Sequence, residues 1–241
     1  MADSSHRPVA PDELAALNHI SALAVLTSGG LDSAILLAES VARKIATYPL
    51  YVCAGHPWEA MELAELRRLV AKLDSSNCRP PVVLEMPVND LYGDHWSISG
   101  RNVPDEKSAD EAVFLPGRNV LLIAKGMLWC HLNGVPALAQ GVLRGNPFPD
   151  ATDSFYQEFE KVVNRAVGGS VRILRPYAKL KKVEIMSRAG PIPLQWSFSC
   201  IRPVAGKHCG RCNKCAERRK AFLDAGLADP TQYSAEDACT A

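Results

Sequence analysis

Two short stretches concentrate the residues whose types and spacing can do chemistry. Near the amino end, Ser28-Gly29-Gly30-Leu31-Asp32-Ser33 follows the apolar run "LAVLT". Glycines let a backbone close around phosphate oxygens and aim its N–H groups at them, and a helix starting there adds its positive amino end. Serine hydroxyls supply further donors, and the Asp32 carboxylate is a hard-oxygen ligand suited to Mg2+. Taken alone, the same six residues also suit a plain turn in which Asp32 caps a helix. Neither G-x-x-x-x-G-K-[ST] nor G-x-G-x-x-G occurs at this turn, which removes support for kinase-like transfer and dinucleotide binding. Six such residues between a buried strand and a helix point to a phosphate group.

Near the carboxyl end, Cys200, Cys209, Cys212 and Cys215 lie in "CIRPVAGKHCGRCNKC", a C-x8-C-x2-C-x2-C spacing. Four thiolates converging tetrahedrally make a closed Zn2+ site with no position left for substrate, so its role is structural. A redox C-x2-C pair and an iron–sulfur cluster draw on the same residue types. Basic neighbours, including Arg202, Lys207, Arg211 and Lys214, favour ionised thiols. His208 is read as standing outside the ligand set. Cys53, Cys78, Cys130 and Cys239 are scattered and read as inert thiols.

The elements that must position these residues are legible as alternating patterns. Apolar runs predict strands over 23–28, 48–55, 80–88, 135–143 and 171–177, with Pro49 admissible only near a strand's start. Helical spacing follows the glycines from residue 32, and recurs over 57–73, 118–134, 152–169 and 179–190. The stretch 89–112 is too long for a simple connector and reads as a flap or binding loop. Strands apolar on both faces, alternating with helices, give an α/β fold: a doubly wound parallel sheet with a small C-terminal module around the four cysteines. In such a sheet ligands bind beyond the carboxyl ends of the strands, where Ser28–Ser33 falls. The predicted division is 1–195 for the sheet domain and 196–241 for the zinc-binding module.

The 241 residues carry a formal net charge of +1, which gives no broad electrostatic reason to bind nucleic acid or membrane. Hydrophobic residues at 47% fit a globular protein. No membrane-length apolar span or signal-like amino end is visible, so the expected location is cytoplasmic.

The hexapeptide resembles the S-G-G-x-D-S signature of the PP-loop ATP pyrophosphatases. Together with the four-cysteine spacing, "FLPGRN" (114–119), "PFPD" (147–150) and "PYAKLKKVEI" (176–185), the chain resembles the QueC family of 7-cyano-7-deazaguanine (preQ0) synthases over roughly residues 23–225. The resemblance implies an adenine nucleotide α-hydrolase-like sheet and an ATP-dependent ligase. That ligase would convert 7-carboxy-7-deazaguanine and ammonia to the nitrile through an adenylated intermediate, releasing AMP and pyrophosphate. It also implies that Ser28, Gly29, Gly30, Leu31, Asp32 and Ser33 cradle pyrophosphate, and that Arg118 and Lys182 neutralise the charge developing as it leaves. Asp150 is a candidate for binding substrate or metal, and equally for a turn leading into a capped helix. Trp96, Phe148 and Trp196 are candidates for stacking on a flat base.

The family's usual F-D-Y-G-Q-R-H is replaced here by "VCAGHPWE" (52–59), and the stretch before "FPD" is short. An alternative is therefore a QueC-like enzyme passing the adenylated acid to another amine on a protein or nucleic acid. A further alternative is a zinc-ribbon module that binds nucleic acid, suggested by "CGRCNKCAERRK". A homodimer, and a protein that delivers substrate or accepts product, are compatible with the sequence.

Overall fold

The computed structural model describes residues 13–190 and 192–234. Cys239 lies outside them. After the short helix α1 (Glu13–Ala16) come β1 (Ala22–Leu26), α2 (Leu31–Ala42), β2 (Ala46–Cys53), α3 (Glu59–Leu73) and β3 (Val82–Glu85). The stretch after β3 holds two single-turn helices, α4 (Asn89–Tyr92) and α5 (Trp96–Ser99), ahead of α6 (Arg118–Leu132). The chain then runs through β4 (Ala137–Ala139), α7 (Asp153–Val167), β5 (Arg172–Leu174), α8 (Lys182–Met186) and α9 (Asn213–Asp224).

The strands form one sheet in the order β3-β2-β1-β4-β5, and every pairing is parallel. Residues two apart on a strand share a face. On β1, Leu23 and Val25 therefore enter one core with Ile35, Leu66 and Leu69 of α2 and α3. Ala24 and Leu26 enter the opposite core with Ile123, Met127 and Tyr156 of α6 and α7. Burying a Leu or Ile side chain contributes about 1.5–3 kcal/mol, so apolar residues on both faces commit β1 to the centre of the sheet. This is the doubly wound arrangement that the apolar strands predict.

Two local expectations are corrected. Pro49 is the fourth residue of the eight-residue β2, an interior strand, rather than near its start. Ala46 N–H donates toward the β1 side and Thr47 N–H toward Asn77, so Pro49, two residues on from Thr47, would aim its missing donor at the β3 side. On that side Thr47 bridges Cys78 and the β2–β3 ladder starts at Leu50 and Val82, so Pro49 occupies the gap between the two. The helix expected over 179–190 is confined to Lys182–Met186, because 175–180 folds into turns closed by Ala178 N–H to Arg175 and Leu180 N–H to Tyr177.

Strand order runs outward from β1 in one direction and from β4 in the other, so a crevice opens between these two at their carboxyl ends. α9, which the cysteine spacing does not reveal, sends Ala221 and Phe222 into the same core as Leu23 and Val25. The cysteines form a smaller cluster with Trp58, Phe198 and Ile201.

Candidate active site

The turn after β1 opens into the crevice. Gly29 has φ +76°, a left-handed conformation, and a β-carbon there would lie 3.2 Å from the carbonyl oxygen of Glu62. Both facts require glycine. Ser33 Oγ donates to the Gly30 carbonyl at 3.0 Å, and the amino end of the twelve-residue α2 points at the turn. The turn is closed from the far end of the chain, where Phe198 N–H donates to the Gly29 carbonyl at 2.7 Å.

Asp32 in the first turn of α2 meets Lys182 at the start of α8. Lys182 Nζ donates to both carboxylate oxygens at 2.8 Å and also reaches Glu217 Oε1 of α9 at 3.2 Å. Gly141, just after β4, makes the approach feasible, since a β-carbon there would stand 3.3 Å from Asp32. Burial works against the Lys182 charge, but Asp32 and Glu217 outweigh it and hold the ammonium above its ordinary value. Burial likewise opposes the Glu217 charge, yet Lys182 and Lys214 hold its carboxyl down at about 2. Glu217 escapes sequence reasoning: in "CNKCAERRK" it looks like one charge among several on a solvated helix.

Ser28, Gly30, Asp32, Ser33, Lys182 and Glu217 line one cleft of about 790 Å³ together with Arg118. Arg118 is the first residue of α6. Next to it, Asn119 N–H donates to Asp150 Oδ2 at 3.0 Å, and Asn119 Nδ2 donates to the Asp150 backbone carbonyl at 3.0 Å. Gln140 Nε2 donates to Asn119 Oδ1, and Tyr156 O–H donates to Gln140 Oε1, each at 2.8 Å. Asp150 thus caps the amino end of α6 from a distant loop and fixes Arg118 at the cleft.

The opposite wall comes from "VCAGHPWE". Glu59 Oε1 and Oε2 accept from the Ala54 and Gly55 N–H groups at 2.6 and 3.0 Å. Burial, with Arg118 nearby, pushes His56 down to about 4, so its ring is neutral. Its Nδ1 lies 2.9 Å from the Ser97 carbonyl, which can only accept, leaving Nε2 as the acceptor. The buried Glu62 accepts from Tyr51 O–H at 2.7 Å, and burial pushes its carboxyl up to about 8. Sequence reasoning missed Glu62 too; the signal was an acidic residue on the apolar stripe of a helix.

Among the aromatic candidates, Trp96 stacks on Trp58 at 5.8 Å and Phe148 on Phe114 at 4.8 Å, all four lining the cleft. Trp196 instead packs beneath the Arg68 guanidinium and is absent from the cleft wall.

Cys200, Cys209, Cys212 and Cys215 are buried, with their sulfurs all within 4.8 Å of one another. The Cys209–Cys215 and Cys200–Cys212 sulfur separations are both 3.9 Å. A tetrahedron with metal–sulfur bonds of about 2.3 Å has edges of about 3.8 Å, so the four fit a metal ion. Backbone N–H groups of Arg202 and Cys209 donate to the Cys200 sulfur, and those of Arg211 and Cys212 to the Cys209 sulfur, as thiolates require. His208 lies outside the set: its Nε2 accepts from Ser199 N–H, and burial keeps it neutral. Burial raises the thiols of Cys53 and Cys78 to about 11 and that of Cys130 to about 12, so they stay protonated at neutral pH.

A family model described as queuosine biosynthesis protein QueC matches residues 22–226. The chain belongs to the QueC family. Curated relatives of this QueC-family chain include the 7-cyano-7-deazaguanine synthase of Thiobacillus denitrificans, 34% identical over 221 residues, covering 87% of this chain and 97% of the relative. The enzyme of the same name from Syntrophobacter fumaroxidans is 31% identical over 226 residues, covering 87% and 94%. That of Rhizobium leguminosarum bv. trifolii is 33% identical over 227 residues, covering 88% and 92%. Among the described residues, no helix of this QueC-family chain is long and apolar enough to cross a membrane.

Proposed function

We propose that this QueC-family chain is an ATP-dependent ligase that converts 7-carboxy-7-deazaguanine and ammonia to 7-cyano-7-deazaguanine, releasing AMP and pyrophosphate. The observation that carries this reading is the convergence of the Ser28–Ser33 turn, Lys182 and Arg118 on one cleft at the reversal of strand order. A carboxylate is a poor acceptor for an amine until one of its oxygens becomes a good leaving group, and adenylation makes it one.

In this reading Ser28, Gly29, Gly30, Leu31 and Ser33 receive the β and γ phosphates on backbone N–H groups and hydroxyls. Lys182 and Arg118 face the bridging oxygen that gains charge as the acid's oxygen attacks the α phosphorus and pyrophosphate departs. Mg2+ carried with ATP would meet Asp32, which offers hard oxygen, and would offset phosphate charge. Zn2+ would sit in the four cysteines and hold the start of α9, from which Glu217 reaches Lys182. Ammonia then displaces AMP to give an amide, whose oxygen is adenylated by a second ATP and lost as the nitrile forms.

The same reading keeps 1–195 as the nucleotide-binding unit and 196–241 as the zinc-binding unit, sharing a core through Ala221 and Phe222. It keeps the cytoplasmic location expected from the sequence and is compatible with a homodimer and with a protein that delivers substrate or accepts product. No observation favours transfer to another amine. The test is incubation of purified protein with the acid, ammonia and Mg-ATP, followed by mass spectrometry: AMP, pyrophosphate and the nitrile are expected, and ADP as the nucleotide product overturns the reading.

A further inference from the structure

Amination of an acyl adenylate releases protons from nitrogen, and none of the residues assigned above is suited to take them. Asp32 is paired with Lys182, and Lys182 and Arg118 are cations. Glu62 has no part in the chemistry described so far, yet it lines the same cleft while being only 8% exposed. Its place is fixed twice. Its backbone carbonyl packs against Gly29 of the phosphate turn, and its Oε2 is held by Tyr51 O–H at 2.7 Å.

The titratable and charged groups facing it are Tyr51 of β2, Glu59 of its own helix and Arg118 of α6. Tyr51 and Arg118 favour its ionised form, while burial and Glu59 oppose it. A buried carboxyl balanced in this way gains and loses a proton near working pH, as general acid–base catalysis requires.

Building on the proposed ligase activity, we propose that Glu62 is a catalytic residue, the base that removes protons from the substrate nitrogen. In the first step the ammonia nitrogen bonds to the acyl carbon, the carbon–oxygen bond to AMP breaks with its electron pair going to AMP, and one N–H proton passes to Glu62. In the second, the amide oxygen bonds to the α phosphorus of another ATP, the bond from that phosphorus to the bridging oxygen breaks with its electron pair leaving on pyrophosphate, and one N–H proton passes to Glu62. The remaining N–H proton follows as the carbon–nitrogen triple bond forms and AMP departs. Glu62 carries one proton at a time and returns it to water between steps.

Two readouts separate this proposal from the activity beneath it. Acid-dependent exchange of labelled pyrophosphate into ATP, without ammonia, reports adenylation alone. Nitrile formation, followed across pH at constant free ammonia, reports the amination steps. In the parent, the kcat for nitrile is expected to rise along a limb with an apparent pKa near 8. Glu62→Gln is expected to lower nitrile formation roughly 100- to 10,000-fold, to lower exchange far less, and to flatten the limb. Tyr51→Phe, which removes a hydrogen bond favouring the carboxylate, is expected to shift the limb to higher pH.

Nitrile formation at the parental rate and pH profile in Glu62→Gln would overturn the proposal, as would equal loss of exchange and nitrile in a variant that melts like the parent. Should Glu62→Gln not fold, the Tyr51→Phe limb decides, and an unmoved limb overturns the proposal. Absence of acid-dependent exchange in the parent would instead defeat the ligase reading itself.

Discussion

Lys182 Nζ stands 2.8 Å from both carboxylate oxygens of Asp32, a residue 150 positions earlier in the chain. Each belongs to the first turn of its helix, so the pair joins α2 to α8 beside the Ser28–Ser33 turn. The ammonium is shared between Asp32 and Glu217, and in the proposed reaction one of these carboxylates gives way to a phosphate.

Lys182→Met should therefore lower acid-dependent pyrophosphate exchange by roughly 100- to 1,000-fold, the usual loss when one preorganised charge-stabilising donor is removed. Lys182→Arg should recover part of it. Initial rates at saturating ATP check this, and a parental kcat in the methionine variant removes Lys182 from the reaction.

Asp150 accepts from the second N–H of α6 and from the Asn119 side chain. Asp150→Ala should cost about 1 kcal/mol, as loss of a helix cap does, or a fall in Tm of roughly 2–4 °C for a chain of this size. Because Arg118 rides on the same turn, KM for ATP should rise as well. Thermal melts beside steady-state kinetics check both.

Gly29→Ala forces a side chain into a left-handed backbone position and against the Glu62 carbonyl. The conformation alone costs about 1–2 kcal/mol, and the Ser28–Ser33 turn must shift. Lower Tm and weaker ATP binding by titration calorimetry are expected together; unchanged binding would mean that the turn does not hold the nucleotide.

Glu62 also makes stability depend on pH. Its carboxyl rises from an ordinary 4.5 to about 8, chiefly through burial. Below the lower value both the folded and unfolded chains hold the proton. Between the two the unfolded chain releases it while the fold retains it, so stability falls as pH rises, by on the order of 1 kcal/mol per pH unit. Above the upper value that slope ends. Urea melts at intervals from pH 5 to 8 should show Glu62→Gln gaining stability over the parent as pH increases.

Much of the fold was legible because its signals are local. Leu23–Leu26 is apolar on both faces, and the glycines fix the turn after it. Lys182 is visible only through resemblance to a family, since a lysine in "KLKKVEI" carries no mark of its partner on α2. Glu217 and Glu62 were missed for a related reason: an acidic residue on a helix is ordinarily solvated, and only tertiary packing turns one toward Lys182 and buries the other against Tyr51. Asp150 was read with two alternatives, and its carboxylate is spent on Asn119 at the head of α6.

Removing metal from the four cysteines should loosen the start of α9, and with it Glu217, Ala221 and Phe222. Chelator treatment is expected to lower Tm and pyrophosphate exchange together, and metal analysis should show both returning with one equivalent of Zn2+. Retained activity in fully demetallated protein would contradict the expectation.

The bond from Phe198 N–H to the Gly29 carbonyl sets a schedule for biosynthesis. A ribosome must add every residue from 29 to 198 before the partner exists that closes a turn begun at residue 28. A nascent chain thus holds this turn unclosed until residue 198 has been added, and under the proposed function the nucleotide pocket is completed only then.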